Sequence, residues 1–204
     1  MEIKAIVFDL GNVVLTNDHC YHTLEELKEF SDHLNITLDN METAFNFPWK
    51  DYSTGKISEE EFWKRYLFTA RANSIDIDYA KNFYRRNQKE NENMLSLLRK
   101  LAKNYILAAL TTIPKEWLKF KKEKFNLDKY FKTIVASGEV GLRKPDPLVY
   151  KMILDKLKIP ANHILFIDDR EDLLLPAKDL GIKTILFRGQ KDLEEKLKEL
   201  EISF

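Results

Sequence analysis

The chain is short of cysteine, of net charge and of long apolar runs, and each shortage removes a class of protein. Its 204 residues include one cysteine, Cys20, which excludes an internal disulfide and fits a reducing compartment. Lys+Arg and Asp+Glu are equal at 33 each, so no global charge draws the chain to nucleic acid or to anionic membranes. No basic stripe interleaved with aromatics is present either, as a nucleic-acid surface would need. No apolar run approaches the roughly 20 residues of a membrane helix. The opening Met-Glu-Ile-Lys-Ala has no leader pattern and enters a strand at once. Internal repeats, low-complexity tracts and Gly/Ser linkers are absent. The expectation is a soluble, cytoplasmic, globular protein with one substantial core plus an insertion.

What is present is an alternation. Five short apolar segments, 3–8, 105–110, 133–136, 163–167 and 183–187, read as strands buried on both faces. Helical patterns separate the last four. One opens with Pro114 in its first turn, one has Asp146 as cap with Pro147 following, and one over 173–180 stops at Gly181. The Lys-rich stretches 121–124 and 191–200 read as solvated helix faces. Strand–helix alternation of this kind predicts an α/β fold: a Rossmann-like parallel sheet with helices on both sides.

The gap between the first two strands breaks the rule. It carries helical signatures instead, with capping-box spacing at Thr23-Leu-Glu-Glu26 and Ser58-Glu-Glu-Glu61. Helices are expected near 24–34, 59–72 and 77–89, with 94–103 leading back to the sheet. The predicted organisation is therefore a core of residues 1–16 and 91–204, and an inserted α-helical cap over 17–90.

In parallel sheets, ligands bind at the carboxyl ends of the strands. The first strand ends in Asp9, the second in Thr111-Thr112, and the fourth in Asp168-Asp169; Lys144 follows the third. Singly, each has an ordinary role in a turn, a cap or the surface. Together they bring acids, a hydroxyl and an ammonium to one edge. Three carboxylates in one crevice repel one another unless cations intervene. Mg²⁺ takes one or two carboxylates plus substrate phosphate, so a phosphoryl group fits: Lys144 and Mg²⁺ neutralise its oxygens, Thr111 donates a hydrogen bond, and Asp9 acts as nucleophile.

FDLGNVV at 8–14, LTT at 110–112, LRKPDP at 142–147 and FIDD at 166–169 resemble the four motifs of the haloacid dehalogenase (HAD) superfamily. The run ASGEVGLRKPDPLVY and DLGI at 179–182 carry the same likeness. The match extends over nearly the whole length, to subfamily I with a helical C1-type cap. Within it, the chain resembles the branch of glucose-1-phosphate phosphatases and epoxide-hydrolase N-terminal domains. The resemblance implies that Asp9 is nucleophile and metal ligand and that Gly11 offers its carbonyl to Mg²⁺. It further implies that Thr111 and Lys144 bind the phosphoryl group, and that Asp169 ligates the metal with Asp168 alongside, through water. Thr112 stands where many relatives have Asn and is expected at the substrate.

Two departures from that pattern matter. Gly11 replaces the second Asp that serves these phosphatases as general acid and base, and Leu173 replaces an Asn that braces the metal loop. Three readings of Gly11 are open. The chain is a phosphatase for small monoesters whose leaving group departs easily, such as a hexose 1-phosphate or an acyl phosphate. Or it is a catalytically weak phosphate- and Mg²⁺-binding domain with a regulatory or scaffold role. A dehalogenase, the third, is disfavoured because such enzymes do not need the metal site retained here. In the cap, Trp49 and Tyr52 are expected to stack on a substrate, and Lys50 to reach an anion; the ordinary role for Trp49, Phe62 and Trp63 is to glue helices together. Asn12, Asn17 and Asp18 are candidates for a replacement proton donor. Residues 18–22, Asp-His-Cys-Tyr-His, lack zinc spacing and read as a hinge.

Overall fold

The computed structural model describes residues 2–16, 23–86 and 88–204. Strand β1 (Ala5–Phe8) is followed by a two-residue strand β2 (Leu15–Thr16) and four helices, α1 (Leu24–Leu34), α2 (Leu38–Ser53), α3 (Glu59–Thr69) and α4 (Ile77–Arg86). A second short strand, β3 (Lys89–Glu90), leads into α5 (Glu92–Leu101), β4 (Ile106–Thr111), α6 (Lys115–Phe125) and β5 (Thr133–Ala136). The chain closes with α7 (Ser137–Val140), α8 (Pro147–Leu157), β6 (Ile164–Asp168), α9 (Glu171–Asp179), β7 (Lys183–Leu186) and α10 (Gln190–Glu199).

The five longer strands form one parallel sheet in the order β5-β4-β1-β6-β7. Because β1 is central, every side chain in it is buried, and its sequence is a continuous apolar run rather than an alternating one. The two faces still separate by period two. Ile6 and Phe8 join Leu107, Ala109 and Ile167 on the face covered by α5, α6 and α10, while Ala5 and Val7 join Ala108, Leu110 and Phe166 under α8 and α9. Sharing one direction, the strands bring Asp9, Thr111 and Asp168 to the same edge.

Three of the inserted helices, α1, α3 and α4, begin where expected. Thr23 completes a capping box with Glu26, and the Ser58 hydroxyl accepts from the Glu61 N–H. The α1–α4 rings belong to the same apolar cluster as one face of the sheet. Trp117 of α6 is the joint between them, lying 5.5 Å from Trp49, 6.3 Å from Tyr52 and 6.4 Å from Trp63 between ring centroids.

Several features differ from the sequence expectation, among them the end of the helix expected over 59–72, which stops at Thr69. Helix α2 was hidden by Pro48, which the structure accommodates inside it; the helix is held by packing of its apolar face, which outweighs the missing N–H. The expected helix over 77–89 stops at Arg86, because Lys89 and Glu90 pair antiparallel with Thr16 and Leu15. That ribbon joins the entry and exit of the insertion. The helix expected from 94 starts at Glu92, since the Asn91 side chain caps it by accepting from the Met94 N–H. Asn17, Asp18 and the rest of the 18–22 stretch lie outside the described residues.

Candidate active site

Asp9 sits one residue past β1, and its N–H still donates to the Ile167 carbonyl at 2.9 Å, so the strand ladder fixes its backbone. Asp168 ends β6 and is fully buried. Between them stands Lys144, from the loop joining α7 and α8. Its Nζ donates to Asp9 Oδ1 at 2.7 Å and to Asp168 Oδ2 at 2.5 Å, and it lies 5.5 Å from the Phe166 ring centre. Thr111, the last residue of β4, is buried, and Thr112 is half-buried.

The Asp168–Asp169 loop is braced in three ways. The Arg170 N–H donates to Asp168 Oδ1 at 3.0 Å, so both Asp168 oxygens are engaged. Asn12 Nδ2 donates to Asp169 Oδ2 at 3.3 Å. Asn12 takes a left-handed backbone, φ 57°, which Asn tolerates better than most residues. Finally, the Tyr150 hydroxyl donates to the Leu173 carbonyl at 2.6 Å and pins the first turn of α9. The carbonyl of Leu173 is thus held here, where its side chain can offer no bond.

Electrostatically the site has a surplus of negative charge. Burial raises the Asp9 carboxyl from its ordinary 3.8 to about 6; Lys144 opposes this, while Asp168 and Asp169 add to it. Asp169 is also pushed up, first by burial and then by Asp168. Burial disfavours the Lys144 ammonium, but Asp9 and Asp168 outweigh it and hold the group above the ordinary lysine range. Three acids against one ammonium, all hard oxygen donors, suit a divalent hard cation. Among the described residues no three His, Cys, Asp or Glu side chains converge closely enough to enclose a metal alone. Mg²⁺ needs no such cage, because water and phosphate complete its shell.

The structure therefore gathers Asp9, Lys144 and Asp168 directly, and Asn12 with Asp169. It assigns two of these differently from the sequence. Asp168, expected beside the metal, is the counter-ion of Lys144, since its oxygens already accept from that ammonium and from a backbone N–H. Asn12, a candidate for substrate contact as a replacement proton donor, holds Asp169. The cap aromatics are also corrected. Trp49 is buried with its ring 5.1 Å from Phe45, and Tyr52 is fully buried 4.6 Å from Phe62. Spaced three apart on a helix, the two rings share the inward face of α2, and that packing consumes the surface a ligand would stack on. Lys50 is exposed.

Sequence reasoning assigned no role to Ser137 or Tyr150. Ser137 directly follows the third strand, a position that could have drawn attention to it; Tyr150 gave no signal, since its partner is a backbone carbonyl in another element.

A family model for haloacid dehalogenase-like hydrolases matches residues 6–187. The chain belongs to that family. Its parallel α/β sheet is the core expected of that family. Drimenol cyclase drtB of Aspergillus calidoustus is 25% identical over 202 residues, covering 96% of this chain and 36% of that protein; this chain thus spans about a third of that relative. The phosphorylated carbohydrates phosphatase of Thermotoga maritima is 25% identical over 203 residues, covering 90% of this chain and 84% of that protein. Among solved structures, a HAD family enzyme of Bacteroides thetaiotaomicron in a magnesium complex has a TM-score of 0.79 at 23% identity, covering 97% of this chain and 100% of that one. The same enzyme with magnesium and inorganic phosphate has a TM-score of 0.76 at 22% identity, covering 90% and 93% of the two chains. At these identities the structural likeness speaks for the fold. Among the described residues no helix is long and apolar enough to cross a membrane.

Proposed function

We propose that the chain is a Mg²⁺-dependent phosphatase of small phosphate monoesters, acting through an aspartyl-phosphate on Asp9. The observation that carries this is the buried Asp9–Lys144–Asp168 constellation at the carboxyl ends of β1 and β6, in a chain of this hydrolase family. The phosphatase among its relatives and the magnesium and phosphate complexes of its structural neighbour support the same reading.

Asp9 attacks phosphorus with a carboxylate oxygen. The P–O bond to the substrate alcohol breaks, and the alcohol oxygen leaves with the bonding pair. Water then attacks the phosphorus of the aspartyl-phosphate, the bond to Asp9 breaks, and orthophosphate departs. Lys144 meets the phosphoryl oxygens with a full positive charge, kept on the ammonium by Asp168, and the Thr111 hydroxyl donates to the same group. Asp9, Asp169 and the Gly11 carbonyl would hold Mg²⁺, with Asn12 orienting Asp169. The ion, when bound, supplies further neutralisation of the dianion.

Gly11 offers no proton to the leaving oxygen. Substrates whose alcohol is acidic enough to leave with less protonation are therefore favoured, and a sugar phosphate such as a hexose 1-phosphate meets that condition. The test is phosphate release from sugar, acyl and aryl phosphates, with and without Mg²⁺, beside Asp9→Asn. Metal-dependent release that disappears in Asp9→Asn supports the proposal. No release from even the aryl ester at high enzyme concentration would replace it with the phosphate-binding-domain reading.

A further inference from the structure

Thr111 ends β4, paired with Ala136 of β5, and the loop that follows it is held at Ile113 by the start of α7. Both backbone groups of Ile113 are taken by the start of α7: its N–H donates to Ser137 Oγ at 2.9 Å, and its carbonyl accepts from the Gly138 N–H at 3.0 Å. The two backbones touch here. A Cβ on Gly138 would lie 2.5 Å from the Lys115 nitrogen and 2.7 Å from the Pro114 Cα.

The same hydroxyl reaches a third segment. Ser137 Oγ lies 2.5 Å from the carbonyl of Ser53, the last residue of α2, and 3.3 Å from the Ile113 carbonyl. A serine has one proton to give, and the shorter contact takes it. Ser137 and Ser53 are both fully buried. Just beyond α2, a Cβ on Gly55 would sit 3.0 Å from the Gly138 carbonyl oxygen. Among the described residues, other α2–core contacts are between rings around Trp117. Such contact stabilises without setting direction, whereas a hydroxyl that accepts from one segment and donates to another sets both distance and angle.

Building on the phosphatase proposal above, we infer that Ser137 is a positioning residue for the reaction: it sets the Thr111 loop and makes that setting depend on α2 being seated on the core. Without the hydroxyl, the Ile113 N–H and the Ser53 carbonyl lose their partner. The loop then relaxes, and Thr111 is displaced from the phosphoryl oxygen it serves.

A double-mutant cycle tests this. Phosphate release and its inhibition by orthophosphate are measured for wild type, Ser137→Ala, Thr111→Ala and the double variant. Ser137→Ala should lower kcat/KM roughly ten- to hundredfold and weaken orthophosphate inhibition in proportion. In the Thr111→Ala background the same change should cost less than about twofold, since residues that act through one another are not additive. Full multiplication of the two losses, or wild-type kinetics in Ser137→Ala, would overturn the inference; a purely structural role predicts multiplication. Gly55→Ala, which strains a left-handed backbone (φ 73°) and presses on the joint from the α2 side, is the second variant and should show the same coupling to Thr111; its absence there counts against the inference if Ser137→Ala does not fold. A wild type that releases no phosphate refutes the phosphatase proposal instead. The cycle is then read on orthophosphate affinity by calorimetry, and multiplicative losses there would still overturn the role of Ser137.

Discussion

Replacing Asp9 by asparagine should stabilise the folded chain while removing its turnover. In the native state the Asp9 carboxyl titrates at about 6 against an ordinary 3.8, chiefly because it is buried. Between those two pH values the folded chain holds a proton that the unfolded chain has lost, so stability falls as pH rises through that window. Each pH unit of the gap is worth about 1.4 kcal/mol, which makes the cost about 3 kcal/mol once pH exceeds 6. Lys144 is already counted in that figure, since its attraction opposes the rise. Asparagine keeps the shape and removes the charge. At pH 7.5 the variant should be more stable by about 3 kcal/mol, and for a chain of this size that raises Tm by about 6–12 °C. Near pH 4 the two proteins should melt together. Differential scanning calorimetry in EDTA reads the effect, because a bound divalent cation would neutralise Asp9 and mask it. An asparagine variant no more stable than wild type at pH 7.5, or a Tm gain independent of pH, would refute the electrostatic account of the site.

Gly11→Asp restores a proton donor and should raise kcat/KM on alkyl phosphates by about tenfold or more, with little change on an aryl phosphate; unchanged rates on both would sink the explanation of the glycine. Asn12→Ala removes the donor to Asp169 and should raise the Mg²⁺ concentration for half-maximal activity about ten- to hundredfold, read from a metal titration of initial rates. Trp117→Ala empties the joint with Trp49, Tyr52, Trp63 and Tyr84 and should cost about 3–5 kcal/mol in urea unfolding. A loss below about 1 kcal/mol would mean that the inserted helices do not depend on that ring.

Much of the fold was legible because a strand buried on both faces has no option but an apolar run, and the runs are short and well separated. Helix starts were equally legible where a cap is local, as at Thr23, Ser58 and Asp146. Helix α2 was not, because Pro48 is a local veto that only distant packing overrides. The β2–β3 ribbon was missed for a related reason: four residues pair across some 70 positions of chain, and no window of sequence contains both strands.

The site divides along the same line. Strand-end placement of Asp9, Thr111 and Asp168-Asp169 follows from a parallel sheet whose strands point one way, and Lys144 comes to the same edge from the loop between α7 and α8. Which carboxylate answers which cation did not follow. Lys144 could have faced either acid and bridges Asp9 to Asp168; Asn12 turned to Asp169, and Trp49 and Tyr52 turned inward to Phe45 and Phe62. Sequence by itself determined the five strands of the parallel sheet and the edge where polar groups collect, because burial on both faces is set by residue type and period. The tertiary structure decided the pairings within that edge and the joint at Ser137, because hydrogen bonds between segments 84 and 135 residues apart exist only once both have been packed into place.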